Sequence, residues 1–140
     1  MKVYLASPFF NEKEIEVLEK VEKILKKKGL RVFSPREHQF GHIHEVGSSA
    51  WSLATFNNDK KFIDCSDIVV CIYHGNYSDS GTAWEVGYAY GTQKPVVVVH
   101  VGDASNLMIH EGSHANVTIE ELKDYDFEEL PSNQYTGKMF

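Results

Sequence analysis

The chain has 140 residues, of which 42% are hydrophobic and 24% charged. These values are typical of a single soluble globular domain over 1–140, and they disfavour a disordered or fibrous protein. The formal net charge of -6 disfavours a nucleic acid polymer as a partner, because proteins that bind phosphate backbones need clustered basic residues.

The cysteines and the first residues predict where the protein resides. Cys65 and Cys71 form neither a C-x-x-C motif nor a zinc-ligand spacing, which favours reduced thiols and a cytoplasmic protein. The N-terminus enters a short β-like run without a long apolar stretch, so we expect no export signal and no membrane anchor.

The chain opens with a predicted strand at Lys2–Ser7, an apolar run ended by Pro8. A helix is predicted next, with Asn11 as its cap and Gly29 as its stop. Its apolar stripe consists of Ile15, Leu18, Val21 and Leu25. The pattern predicts one βα unit.

A second βα unit follows. Leu30–Pro35 is a predicted strand, residues 36–48 form a polar, histidine-rich loop, and helical spacing returns from Ser49 to about Ile63. This second helix has a less regular apolar pattern, in which we expect Trp51, Ala54, Phe56 and Ile63 to pack.

The second half continues the alternation. Asp67–Tyr73 and Pro95–Val101 are nearly all apolar, which is typical of strands buried on both faces of a parallel sheet. Between them we predict a turn over 74–81 and a helix at Thr82–Gly91. A last strand is predicted at 116–119, then a short helix at Glu120–Tyr125 and an irregular tail.

This order predicts an α/β fold: a doubly wound, flavodoxin-like, five-stranded parallel sheet with helices on both faces. Ligands of such folds bind beyond the carboxyl ends of the strands. Because the chain contains neither G-x-G-x-x-G nor G-x-x-x-x-G-K-[ST], we expect no dinucleotide cofactor.

The stretch "DSGTAWEVGYAYG" (Asp79–Gly91) raises two hypotheses for Glu85. Thr82 and Glu85 fit a capping box, with Asp79 or Ser80 as a possible N-cap. Alternatively, Glu85 presents a carboxylate to a substrate, since carboxylates are the usual nucleophiles toward an anomeric carbon. Spacing alone leaves both open.

Histidines crowd the loop after the second strand. His38, His42 and His44 have no carboxylate or cysteine at metal-ligand spacing, and glycine interrupts the loop. We therefore predict no metal site.

Collinear motifs identify a family. "YLASPFF", "ATFNND", "DSGTAWEVGYAYG" and "NLM" occur in the order and spacing of nucleoside 2-deoxyribosyltransferases, which the chain resembles over essentially its whole length. The resemblance implies transfer of a 2-deoxyribosyl group between nucleobases by double displacement, in nucleoside salvage, without a cofactor. The implied substrates are 2'-deoxynucleosides and free purine or pyrimidine bases.

The resemblance also assigns catalytic roles. It implies that Glu85 is the nucleophile and that the Tyr4 hydroxyl holds this carboxylate. Asp59 resembles the acidic group that orients the nucleophile or transfers the proton of the base. Asp79 resembles the acidic group that accepts hydrogen bonds from the sugar hydroxyls.

Further residues match substrate-binding positions of the family. Phe10 resembles a residue that stacks on the base, and Gln39 matches one that hydrogen-bonds the base edge. Trp84 is an alternative stacking residue, but we expect it in the core. Asn106 and Met108 match residues contributed by a neighbouring subunit, and the terminal carboxylate on Phe140 is similarly placed, so the resemblance implies a homohexamer with shared active sites.

Rival functions remain. A hydrolase of deoxynucleosides or deoxynucleoside 5'-monophosphates uses the same fold, although Asp79 would repel a phosphate. A non-catalytic nucleotide-sensing module is the other alternative.

Overall fold

The computed structural model describes residues 1–75 and 79–140; residues 76–78 of the predicted turn lie outside this part of the chain. The strands are β1 (Lys2–Ala6), β2 (Arg31–Phe33), β3 (Ile68–Tyr73), β4 (Val96–His100), β5 (Ala104–Ser105), β6 (Ala115–Val117) and β7 (Lys138–Met139). The helices are α1 (Glu12–Lys27), α2 (Ser49–Cys65), α3 (Ser80–Gly91), α4 (Leu107–Glu111) and α5 (Ile119–Asp124), and a 3-10 turn spans Pro35–Glu37.

The main sheet has five parallel strands in the order β2-β1-β3-β4-β6. This confirms the predicted doubly wound sheet. The last strand is shifted from the predicted 116–119, because the Thr118 side chain caps α5 and forms a capping box with Glu121. The strand therefore ends at Val117.

Helices cover both faces of the sheet, as predicted. Alternate strand residues point to opposite faces. On one face α1 and α5 pack on Val3, Leu5, Val70 and Ile72. On the other, α2, α3 and α4 pack through Ile63, Val86, Ala89 and Ile109. Within the described residues, no helix has the length and apolarity that a bilayer span requires.

The tail is more ordered than the sequence indicated. Lys138 and Met139 pair in parallel with Ala104 and Ser105 to form a small second sheet. This pairing brings the end of the chain beside the loop that precedes α4.

The topology also fixes where a cleft can form. The chain leaves β1 toward β2 on one side, and it leaves β3 toward β4 on the other. The connections therefore diverge at the carboxyl ends of β1 and β3, the switch point where α/β folds bind ligands.

Candidate active site

A cleft of about 410 Å³ opens at this switch point. Its walls are the segment after β1, one face of α2 and the first turns of α3. They combine aromatic rings with carboxylates: Phe9, Phe10, Trp51, Phe56, Trp84, Asp59, Asp79 and Glu85. A cleft of this size can hold a small organic molecule.

A hydrogen bond between β1 and α3 fixes the floor of the cleft. The Tyr4 hydroxyl donates to Glu85 Oε2. Tyr4 is fully buried. Its burial, and then the charges of Glu85 and Asp59, raise the pKa of the phenol far above its ordinary 10. Tyr4 is therefore a neutral, permanent donor that orients the Glu85 carboxylate.

The carboxyl groups of the cleft have unusual proton affinities. Glu85 is half-buried, with its carboxyl end the more enclosed part. Burial raises its pKa from 4.5 to about 8; the Tyr4 hydrogen bond opposes this shift, and the charges of Asp59 and Asp79 add to it. Burial also raises the pKa of Asp59 from 3.8 to about 6. Such perturbed groups gathered in a cleft are typical of a functional site.

The start of α3 tests the capping-box hypothesis for Glu85. The Asp79 side chain is the N-cap, and its Oδ2 accepts from both the backbone N–H and the hydroxyl of Thr82 at 2.9 Å. Helix α3 begins at Ser80, so Thr82 is its third residue and cannot cap it. The capping-box hypothesis for Thr82 and Glu85 is wrong, and the Glu85 carboxylate faces Tyr4 instead.

Comparison with known proteins identifies the family. Residues 3–125 match the family model for nucleoside 2-deoxyribosyltransferase. The chain belongs to this family. A nucleoside deoxyribosyltransferase of Lactobacillus leichmannii is 31% identical over 117 residues, 81% of this chain and 70% of that protein. One of Limosilactobacillus fermentum is 30% identical over 145 residues, 90% of this chain and 86% of that protein.

Solved structures of similar proteins support the same fold. A 2-deoxyribosyltransferase from Bacillus psychrosaccharolyticus is similar with a TM-score of 0.91 at 41% identity, covering 97% of this chain and 100% of that one. A CMP N-glycosidase from Clostridium botulinum, with a TM-score of 0.62 at 20% identity over 89% of this chain and 100% of that one, shares the fold. The predicted family and fold are confirmed, and the chain is a transferase of the nucleoside deoxyribosyltransferase class, acting on N-glycosidic bonds.

The structure brings some predicted residues of the deoxyribosyltransferase together and leaves others apart. Phe10 lines the cleft with 76% of its surface exposed. Gln39 does not line it, since its exposed side-chain amide donates to the Arg36 carbonyl at 2.9 Å.

Asn106, Met108 and Phe140 gather at a different place from the cleft. The Asn106 side chain caps α4 by accepting from the Met108 N–H at 2.9 Å. The Phe140 N–H donates to the carbonyl of Ser105 at 3.1 Å. Met108 is 73% exposed and Phe140 52% exposed. These residues form an outward-facing group of neighbours and do not line the cleft of their own chain.

Most residues of the α2 wall were not predicted as site residues. Trp51, Ser52, Thr55 and Phe56 line the cleft, although Trp51 and Phe56 were expected to pack in the core. The irregular apolar pattern of α2 was the available signal: Ile63 is its one fully buried residue among those described, because the preceding turns face the cleft.

The core assignment of Trp84 is wrong for a related reason. Its indole is 46% exposed and lines the cleft. It follows Ala83, which packs against the core, and precedes Glu85, so consecutive residues of α3 point in different directions.

The histidine-rich loop has a packing role at its start. The His38 ring stacks on Phe33 with 4.5 Å between ring centroids. Among residues 1–75 and 79–140, no cluster of His, Cys, Asp and Glu is arranged to bind a metal ion.

Proposed function

We propose that the protein exchanges the nucleobases of 2'-deoxynucleosides through a covalent 2-deoxyribosyl ester on Glu85. The observation that carries this proposal is the Glu85 carboxylate held by the Tyr4 hydroxyl in a cleft that it shares with Asp59 and Asp79. A positioned carboxylate both stabilises the oxocarbenium-like charge on the sugar and forms a bond to it.

In the first half-reaction a Glu85 oxygen attacks the anomeric carbon C1'. The C1'–N bond breaks, its electron pair goes to the base nitrogen, and Asp59 supplies the proton to the leaving base. In the second half-reaction a nitrogen of another base attacks C1', the ester bond breaks, and the Glu85 carboxylate is regenerated. Asp59 takes up the proton released by the incoming base.

The proton affinities determine how much of the enzyme can follow this route, because Glu85 has the higher pKa of the two carboxyl groups. Between about pH 6 and about pH 8 the pair of Asp59 and Glu85 holds one proton. These pKa values place the proton mainly on Glu85. The productive form is the minor one, with the proton on Asp59 and Glu85 ionised, and the Tyr4 hydrogen bond increases its share because it lowers the pKa of Glu85. We expect a bell-shaped pH profile with limbs near those values.

Asp79 is proposed to accept hydrogen bonds from the sugar hydroxyls. Both of its bonds to Thr82 use Oδ2, so capping α3 also fixes the direction of Oδ1. A carboxylate at this position disfavours a 5'-phosphate and favours free nucleosides.

We also propose that Asn106, Met108 and Phe140 complete the active site of a neighbouring subunit in a homohexamer. Met108 and Phe140 are exposed and none of the three residues lines the cleft of its own chain, which supports this proposal. The assembly would act in nucleoside salvage in the cytoplasm, where Cys65 and Cys71 remain free thiols.

Incubation with deoxyinosine and free adenine tests the function, with deoxyadenosine as the measured product. Glu85→Ala should lower its formation by several orders of magnitude, because the covalent route is lost. Glu16→Gln on α1 is the control, since it removes an exposed carboxylate outside the cleft. Release of hypoxanthine and deoxyribose alone would indicate a hydrolase, and no base release would indicate a binding module.

A further inference from the structure

Two aromatic rings at the mouth of the cleft have no role in the reaction as proposed. Trp84 on α3 and Phe56 on α2 are each 46% exposed. Their ring centroids are 5.3 Å apart, with an angle of 64° between the planes. Both rings line the same cleft as Glu85 and Asp59.

Contacts with other side chains hold the Trp84 indole in place. It stacks on Tyr88 with centroids 5.2 Å apart and planes within 8°. The Tyr88 hydroxyl donates to Asp64, and the Lys60 ammonium lies 5.3 Å from the Tyr88 ring centroid. The aromatic pair is therefore a preformed wall, which reduces the entropy cost of binding against it.

The two helices place this wall beside the reacting groups. Trp84 and Glu85 are consecutive on α3, so Glu85 reaches Tyr4 on the sheet while Trp84 reaches α2. Phe56 precedes Asp59 by one turn on the same face of α2. A base with its glycosidic nitrogen near Glu85 and Asp59 would direct its remote edge toward the mouth, where the rings lie.

We propose that Trp84 and Phe56 form an aromatic subsite that binds apolar, aryl-bearing substituents on the edge of the nucleobase remote from the glycosidic bond. This inference rests on the proposed base exchange. A substituent bound there buries apolar surface of both rings and gains aromatic contacts, so the enzyme should prefer aryl-substituted purines over the same purines without the aryl group.

A competition assay measures this preference. Deoxyinosine is the donor, and equal concentrations of adenine and 6-benzylaminopurine are the acceptors. The ratio of the two product deoxynucleosides should fall roughly tenfold in Trp84→Ala and in Phe56→Ala, because an aromatic contact contributes about this factor. Tyr90→Ala is the matched control, since Tyr90 is a 64% exposed ring on α3 that does not line the cleft; its ratio should equal that of the wild type.

A binding measurement separates failure of the subsite from failure of the proposed function. The chain has 2 tryptophans, so Trp51→Phe leaves Trp84 as the only indole. If no base exchange occurs, the subsite still predicts that 6-benzylaminopurine quenches Trp84 fluorescence at lower concentration than adenine does. Equal quenching overturns the proposal, and so does an unchanged product ratio in a folded, active Trp84→Ala variant. An unchanged ratio together with an altered oligomeric state would assign the rings to a contact between copies of the chain.

Discussion

Replacing Tyr4 by Phe removes one hydroxyl from the floor of the cleft. The ring remains, and its stacking on Phe33 at 5.6 Å is retained, so the fold should be preserved. The lost group is the donor to Glu85 Oε2. Because this bond lowers the pKa of Glu85, we expect that pKa to rise above about 8.

The size of the effect follows from the bond that is lost. A hydrogen bond to a charged group is worth about 1.5 to 3 kcal/mol. Since one pKa unit corresponds to about 1.4 kcal/mol, the pKa of Glu85 should rise by about one to two units. At neutral pH the fraction of enzyme with an ionised Glu85 and a protonated Asp59 should then fall by about 10- to 100-fold, and kcat/KM with it.

Steady-state base exchange measured across pH tests this reasoning. The alkaline limb of the profile should move to higher pH, so the deficit of Tyr4→Phe should narrow as pH rises. Tyr125→Phe is the control, because it removes a tyrosine hydroxyl that donates to the carbonyl of Pro131, outside the cleft. A deficit that is equal at every pH would refute the account of Tyr4 as a group that tunes Glu85.

Two further predictions concern the carboxyl groups. Asp59→Asn should remove the alkaline limb of the pH profile, and it should lower the pKa of Glu85, because the charge of Asp59 raises that pKa. Measuring kcat/KM across pH tests both effects. A retained alkaline limb would exclude Asp59 as the proton donor. Glu85→Gln should stabilise the fold as pH rises. The pKa of Glu85 is higher in the folded state than in the unfolded state, so the folded protein binds this proton more tightly. The contribution of Glu85 to stability is therefore complete below its unfolded-state pKa and is lost as pH rises through about 8. The difference in Tm between Glu85→Gln and wild type should grow from pH 5 to pH 8, and a constant difference would contradict the raised pKa.

The regular parts of the fold were predictable from local patterns. Helix α1 has a clean apolar stripe and caps at both ends, and its observed span agrees with the predicted one. Strand β3 and the four valines of β4 are continuous apolar runs, which is the composition that a parallel sheet buried on both faces requires.

The walls of the cleft were less predictable. An exposed aromatic residue at a ligand site and a buried one in the core have the same residue type, and only the tertiary structure separates them. Trp51, Phe56 and Trp84 were therefore assigned to the core, although they face the cleft.

The Asp79 cap was an open alternative because Thr82, Asp79 and Ser80 all have capping side chains, and only the position of the first helical turn decides among them.

The pairing of two short strands that are distant in the sequence could not be predicted. Strands β5 and β7 have two residues each and lie far apart in the sequence. Neither has the alternation or the apolar run by which strands are recognised. Their pairing sets the position of Phe140 beside Ser105.

The most direct test of the covalent mechanism is the mass of the enzyme during turnover. The protein is mixed with deoxyinosine without an acceptor base, quenched in acid, and digested for peptide mass spectrometry. The covalent mechanism predicts that the peptide containing Glu85 gains the mass of one 2-deoxyribosyl group, and that added adenine removes it. Base exchange at a normal rate with no such adduct, or with the adduct on a peptide that lacks Glu85, would contradict it.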